Sequence, residues 1–298
     1  MLRYYLQELF EPTLLYSLAL AVLGISAAYY YGRFSIYAAA LVIIGSVMAQ
    51  ISVNVISDYF DYASGLDKEL AKSKSGNLAG GSSLLARGLI KPGYTLAAGL
   101  AVYLFAATIG IYFLIMQIQL LPILVVASLS ILLYARFAKK VPYLSEPLCT
   151  LNYVLIAFGS FIVVAGFNQL SHALIFSLVP AGIMLGGNSL FINEIPDRGV
   201  DRKYGVKHSA VMLKTSKRIA LYYLSFQAAA YLILVSGLIL RQLPPAAAVA
   251  LATLPITPYI FYGIYNARTR KYGRYLAFQT AASFIFAVLL SVVYIVAV

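Results

Sequence analysis

The chain has 298 residues, 62% of them hydrophobic and 11% charged, with a net charge of +12. So much apolar surface excludes a soluble domain and points to membrane spans. One cysteine, Cys149, excludes disulfides and cysteine metal centres, and His172 and His208 are too few for a histidine centre. The basic excess would suggest nucleic acid in a soluble protein; its placement along this chain marks membrane orientation instead.

Apolar runs recur at 13–31, 35–57, 94–115, 119–138, 147–167, 172–194, 219–240, 244–264 and 275–297. Each is close to the ~20 residues that cross a hydrocarbon core. They predict an all-α, polytopic fold of nine transmembrane helices around a central cavity, formed by residues 1–298 as one domain. The first run has no evident small-residue cleavage site, so it is expected to be a helix of the mature protein rather than a signal peptide.

With nine spans, the N-terminus and the loops after spans 2, 4, 6 and 8 hold 20 of the 22 Lys and Arg residues. Only Arg33 and Arg241 fall on the other side. The positive-inside rule then puts the N-terminus in the cytoplasm and the C-terminus outside, in a multi-pass protein of the cell membrane. All ten acidic residues lie on the same cytoplasmic side. Acids contribute little to topology, so their one-sidedness calls for a second cause, and a cytoplasm-facing active site is the simplest.

The aspartates form two clusters. Asn54, Asp58, Asp61 and Asp67 lie in NVISDYFDYASGLD after span 2, and Asn193, Asp197 and Asp201 in NEIPDRGVDRKYG after span 6. At 100° per residue Asn54, Asp58 and Asp61 share one narrow helix face. Asn193, Asp197 and Asp201 would share another, although Pro196 argues against an unbroken helix there. Matching motifs four spans apart hint at a four-helix repeat, spans 1–4 and 5–8 plus span 9. Carboxylates are costly near a bilayer and are kept where they are used. Two such clusters suit Mg2+ ions holding a diphosphate, because Mg2+ takes a few carboxylates and completes its shell with water and phosphate. A solvated helix end with scattered acids would explain one cluster but not two, each led by an asparagine.

Lys139, Lys140, Arg202, Lys203 and Lys207 stand where they could neutralise diphosphate oxygens, or serve only as positive-inside anchors. The segment SGNLAGGSS at 75–83 is rich in donors but lacks the Walker sequence. Among 25 tyrosines, Tyr134 and Tyr153 could shield a carbocation with their ring faces.

With SDYFDYASGLD, AGGSSLLARGLI, YARFAKKVPYLSEP and NEIPDRGVDRKYGVKHSAV, the chain resembles the UbiA superfamily of membrane prenyltransferases over most of its length. It looks most like the branch of 1,4-dihydroxy-2-naphthoate polyprenyltransferases. The resemblance implies that Asp58, Asp61, Asp197 and Asp201 bind Mg2+ and through it the diphosphate. It adds Asn193 as an aid, Asp67 as the loop aspartate of the first motif, Lys207 as a basic position against the diphosphate, and Glu146 as a usual glutamate. Ser57 stands where the family commonly has asparagine, and Asn54 one turn earlier can compensate. The Arg-Pro pair frequent in the 4-hydroxybenzoate, haem O and ether-lipid enzymes is missing, with GGSS in that region.

The implied reaction moves a polyprenyl group from an allylic diphosphate to an aromatic ring, in menaquinone-type quinone synthesis. Other acceptors remain open: 4-hydroxybenzoate, homogentisate or a glycerol-phosphate lipid. A transporter is the alternative of another class, but the acids gather at one membrane face and not at mid-span. A CDP-alcohol phosphotransferase would need Asp-Gly and Ala-Arg within the first motif, and neither occurs. A non-catalytic scaffold would be expected to have lost both motifs.

Overall fold

A computed structural model describes residue 4 and residues 13–70, 84–267 and 271–298. Nine helices lie close to the predicted runs: α1 Leu14–Tyr30 and α2 Ile36–Ser64; then α3 Pro92–Met116, α4 Ile118–Arg136, α5 Ser145–Ala165 and α6 His172–Glu194; last α7 Ser216–Ile239, α8 Pro245–Tyr265 and α9 Tyr272–Val296. There is no strand among the described residues. The eight helices α2–α9 are long and apolar enough to cross a membrane, which makes this a multi-pass helical membrane protein. The first expected span, α1, is apolar but has 17 residues. At 1.5 Å per residue that is about 25 Å, short of a ~30 Å hydrocarbon core.

Burial separates the helices into a centre and a rim. In α1 Leu20, Leu23, Ala27 and Ala28 are wholly buried. A Cβ on Gly24 would lie 2.2 Å from the Ala157 carbonyl oxygen, so α1 and α5 approach closely because Gly24 has no side chain. In contrast, α3 buries only Thr95, Gly99 and Phe113 and exposes Leu104, Phe105, Ile111 and Ile115. Apolar side chains exposed along a membrane-length helix are lipid-facing.

Two local features place the polar ends. First, α2 runs seven residues beyond its predicted end, so Asp58 and Asp61 ride on its last turns. It stops at Gly65, whose φ of 82° is the left-handed conformation favouring glycine, and the short helix Leu66–Leu70 carries Asp67. Second, α6 changes to π-helical geometry over Ile183–Asn188, just after Pro180. The freed Met184 carbonyl accepts bonds from Ser189 Oγ at 3.0 Å and Ser283 Oγ at 2.8 Å. A π-helical turn resets the face that the following residues present, and Asn193 and Glu194 lie on its far side.

Candidate active site

As Pro196 predicts, the helix does not continue through the second motif. The chain turns after Glu194, and Asp197 starts a new short helix, Arg198–Lys203, in which Asp201 N–H donates to the Asp197 carbonyl at 3.0 Å. His208 starts another, Ser209–Met212.

Asp58, Asp61, Asp67, Asn193, Asp197 and Asp201, separated by up to some 140 positions in the chain, all line one cavity of about 960 Å3. Asn54, Lys139, Tyr134 and Tyr153 line it as well. Its other walls are mostly apolar, with Val42, Gly45, Ala107, Gly110, Leu124 and Gly159 from α2 to α5 beside larger side chains such as Phe113 and Leu114. Ile111, Val125 and Leu129 both line the cavity and are exposed on α3 and α4, so it reaches the lipid-facing side of that helix pair. The result is a polar mouth on an apolar tunnel.

Charge at the mouth is partly balanced within the protein. The Lys139 ammonium donates to Asp61 across 78 positions of sequence. Burial pushes the Lys139 pKa down, but Asp61, with Asp201 and Asp67 behind it, more than offsets this and holds it above the usual lysine value. Asp61 therefore favours the charged form of Lys139 at the mouth.

The structure distributes the remaining sequence candidates differently. Asn54 is held in a polar chain: its Oδ1 accepts from Gln50 Nε2 at 2.8 Å and its Nδ2 donates to Thr13 Oγ1 at 2.8 Å. Lys140, Arg202, Lys203 and Lys207 do not line the cavity. All four are exposed, and the Lys207 N–H donates to the Lys139 carbonyl at 2.6 Å. The GGSS segment lies outside the described residues.

Two residues of the cavity, and one behind it, were not among the sequence candidates or had no role there. Glu194 lines the cavity, 8% exposed, with no hydrogen bond to either carboxylate oxygen. His208 lines it too, with Nε2 2.8 Å from Asp201 Oδ2 and Nδ1 3.6 Å from Glu194 Oε2. Wholly buried Glu146 accepts from Ser209 Oγ at 2.8 Å. Glu194 was legible as a second acid beside Asn193; nothing in the sequence marks His208 as a partner of Asp201.

Among the described residues, no three His, Cys, Asp or Glu side chains converge on a ready-made metal cage. Mg2+ is rarely held by an all-protein shell and is shared with phosphate oxygens. The donors that line the mouth, Asp58, Asp61, Asp67, Asn193, Asp197 and Asp201, are the hard oxygens such an ion takes. The residues present thus fit Mg2+ held together with a phosphate-bearing ligand.

A multi-pass helical bundle whose acidic mouth opens onto a mostly apolar cavity is the class that the fold and site define. The chain belongs to the UbiA prenyltransferase family, whose model matches residues 17–286. The fold is shared with an apo UbiA homologue from Aeropyrum pernix K1 at TM-score 0.70 and 18% identity, covering 95% of this chain and 97% of that one. A digeranylgeranylglyceryl phosphate synthase superposes at TM-score 0.63 with 17% identity over 99% of this chain and 98% of that one. A UbiA homologue from Archaeoglobus fulgidus bound to GPP and Mg2+ gives TM-score 0.60 at 16% identity, over 96% and 99% of the two chains. No curated protein sequence matches.

Proposed function

We propose that the chain is a Mg2+-dependent polyprenyltransferase moving an isoprenoid group from an allylic diphosphate to an aromatic acceptor, 1,4-dihydroxy-2-naphthoate in menaquinone-type quinone synthesis. One observation carries the reading: both aspartate clusters meet at the mouth of a cavity whose depth is apolar. A diphosphate head fits the first part and a prenyl tail the second. The Archaeoglobus homologue holding GPP and Mg2+ in a related fold supports this.

Asp58, Asp61, Asp67, Asn193, Asp197 and Asp201 would hold Mg2+, with Asn54 behind them. When bound, Mg2+ supplies Lewis-acid stabilisation of the departing diphosphate. The chain's own groups do the rest. Lys139 places a fixed cation where negative charge develops as the allylic C–O bond breaks and its electron pair goes to the diphosphate. The apolar walls keep water from the allylic cation. Tyr134 and Tyr153 line the cavity and offer ring faces to that cation, and Tyr16 packs edge-on to Tyr153 at 6.2 Å between centroids. The acceptor ring then attacks carbon, and a proton or the carboxyl group leaves to restore aromaticity.

The topology belongs to the same proposal. Residues 1–298 act as one domain, α1 completes nine spans, and the acidic mouth faces the cytoplasm with the N-terminus. The naphthoate branch rests on the motif resemblance and the missing Arg-Pro pair. A glycerol-phosphate lipid acceptor is the second reading, favoured by the fold shared with the digeranylgeranylglyceryl phosphate synthase. Purified protein in lipid, given Mg2+, geranylgeranyl diphosphate and each acceptor in turn, separates the two by the mass of the product.

A further inference from the structure

A second, smaller cavity of about 280 Å3 lies against the first on its polar side. It sits between the end of α2, the α4–α5 loop and the 204–206 turn, and is just smaller than the ~300–1,000 Å3 typical of ligand pockets. Four residues line both cavities: Asp61, Leu66, Tyr134 and Lys139. The Lys139–Asp61 ion pair is therefore part of the wall between them.

The small cavity is electropositive. Arg136 and Lys140 line it together with Lys139, against Asp61 as its single acid. Among the described residues, neither Arg136 nor Lys140 pairs with a carboxylate. The Arg136 guanidinium lies over the rings of Phe60 and Phe137, at 5.8 Å and 5.3 Å from their centroids, contacts that leave its charge unneutralised. The carbonyl end of α2 adds about half a negative charge nearby, too little to cancel the cationic excess.

We propose that this cavity is a metal-independent anion site that takes inorganic diphosphate as it leaves the active cavity, with the Lys139–Asp61 pair as the partition. The proposal rests on the prenyl-transfer reading, which makes free diphosphate at the mouth. Once the allylic bond has broken, the diphosphate carries more charge and competes with Asp61 for the Lys139 ammonium. Parting of that pair joins the cavities, and Arg136 and Lys140 offer the next cations on the way to water. Their exposure fits a transit site better than a tight one.

The test is equilibrium binding of labelled inorganic diphosphate to the full-length protein in lipid discs, in EDTA and then in Mg2+. In EDTA, native protein and Asp197→Ala should both bind saturably, and the double variant Arg136→Ala/Lys140→Ala about tenfold more weakly. With Mg2+ the double variant should regain binding at the active cavity, which shows that it is folded. No saturable binding in EDTA, or equal binding by the double variant, overturns the proposal. If Mg2+-dependent binding is then still present in native protein and lost in Asp197→Ala, the prenyl-transfer reading stands without it. Native protein that binds diphosphate under neither condition overturns both.

Discussion

His208 Nε2 lies 2.8 Å from Asp201 Oδ2 inside the polar mouth, with the imidazole 2% exposed. Its Nδ1 accepts from the Val211 N–H at 3.4 Å, so Nε2 carries the proton and donates to the carboxylate. The ring thus sets the direction of Asp201 as an outer partner sets a metal ligand. His208→Ala should lower prenyl transfer about 10–100-fold. The loss should appear as a raised Mg2+ requirement, read from rate against Mg2+ concentration at saturating substrates.

Asn54 and Asp61 share a helix face but not a role. Asn54 already bonds Gln50 and Thr13, whereas Asp61 meets Lys139 at the mouth. Asn54→Ala should cost about 0.5–1.5 kcal/mol of stability per lost bond and leave most of the activity. Asp61→Asn should remove most of the activity with little loss of stability. Thermal unfolding in detergent beside product formation separates the two.

Much of this was legible in the sequence. Span positions follow from apolar length, and both clusters stood out because carboxylates rarely survive there without a use. Pro196 announced the break that puts Asp197 and Asp201 on a separate helix from Asn193. What the sequence did not carry was three-dimensional. The hydropathy of α1 and α3 is alike in kind, yet one is encased by the bundle and the other faces lipid. The π-helical turn has no sequence signature beyond the nearby Pro180 and glycines. Among the basic residues, charge and proximity in sequence did not tell Lys139, which lines the mouth, from Lys140, which lies behind it. His208 stayed hidden because its partner Asp201 is reached only by the folding of the 204–208 turn.

Gly186 sits within the π-helical turn of α6, where a Cβ would lie 2.9 Å from Thr150 Cα and 3.0 Å from the Cys149 carbonyl oxygen. Backbone cannot rotate out of the way. Gly186→Ala should therefore destabilise by about 1–3 kcal/mol. Because α6 carries Asn193 and leads to Asp197, activity should fall further than the folded fraction does. Detergent unfolding and turnover measured on the same preparation test both.

Gln279 is wholly buried in the membrane region, accepting from Tyr223 Oη at 2.9 Å and Gln227 Nε2 at 2.8 Å and donating to Ser283 Oγ at 2.8 Å. Hydrogen bonds between membrane helices average about 0.6 kcal/mol each, so Gln279→Leu should cost roughly 1–2 kcal/mol. Gln279 does not line the cavity, so KM for the diphosphate should be unchanged. A lowered melting temperature with native KM is the expected pair of results.

The central claim is that the two aspartate clusters act together on a prenyl diphosphate. It is tested most directly by diphosphate release from geranylgeranyl diphosphate, with 1,4-dihydroxy-2-naphthoate present, by protein in lipid with and without Mg2+. Asp61→Ala and Asp197→Ala are measured alongside. The account predicts release that requires Mg2+ and falls by at least about 100-fold in each variant, a difference of about 2.7 kcal/mol in barrier. Release that persists in either variant, or none from native protein at any prenyl length, would contradict it.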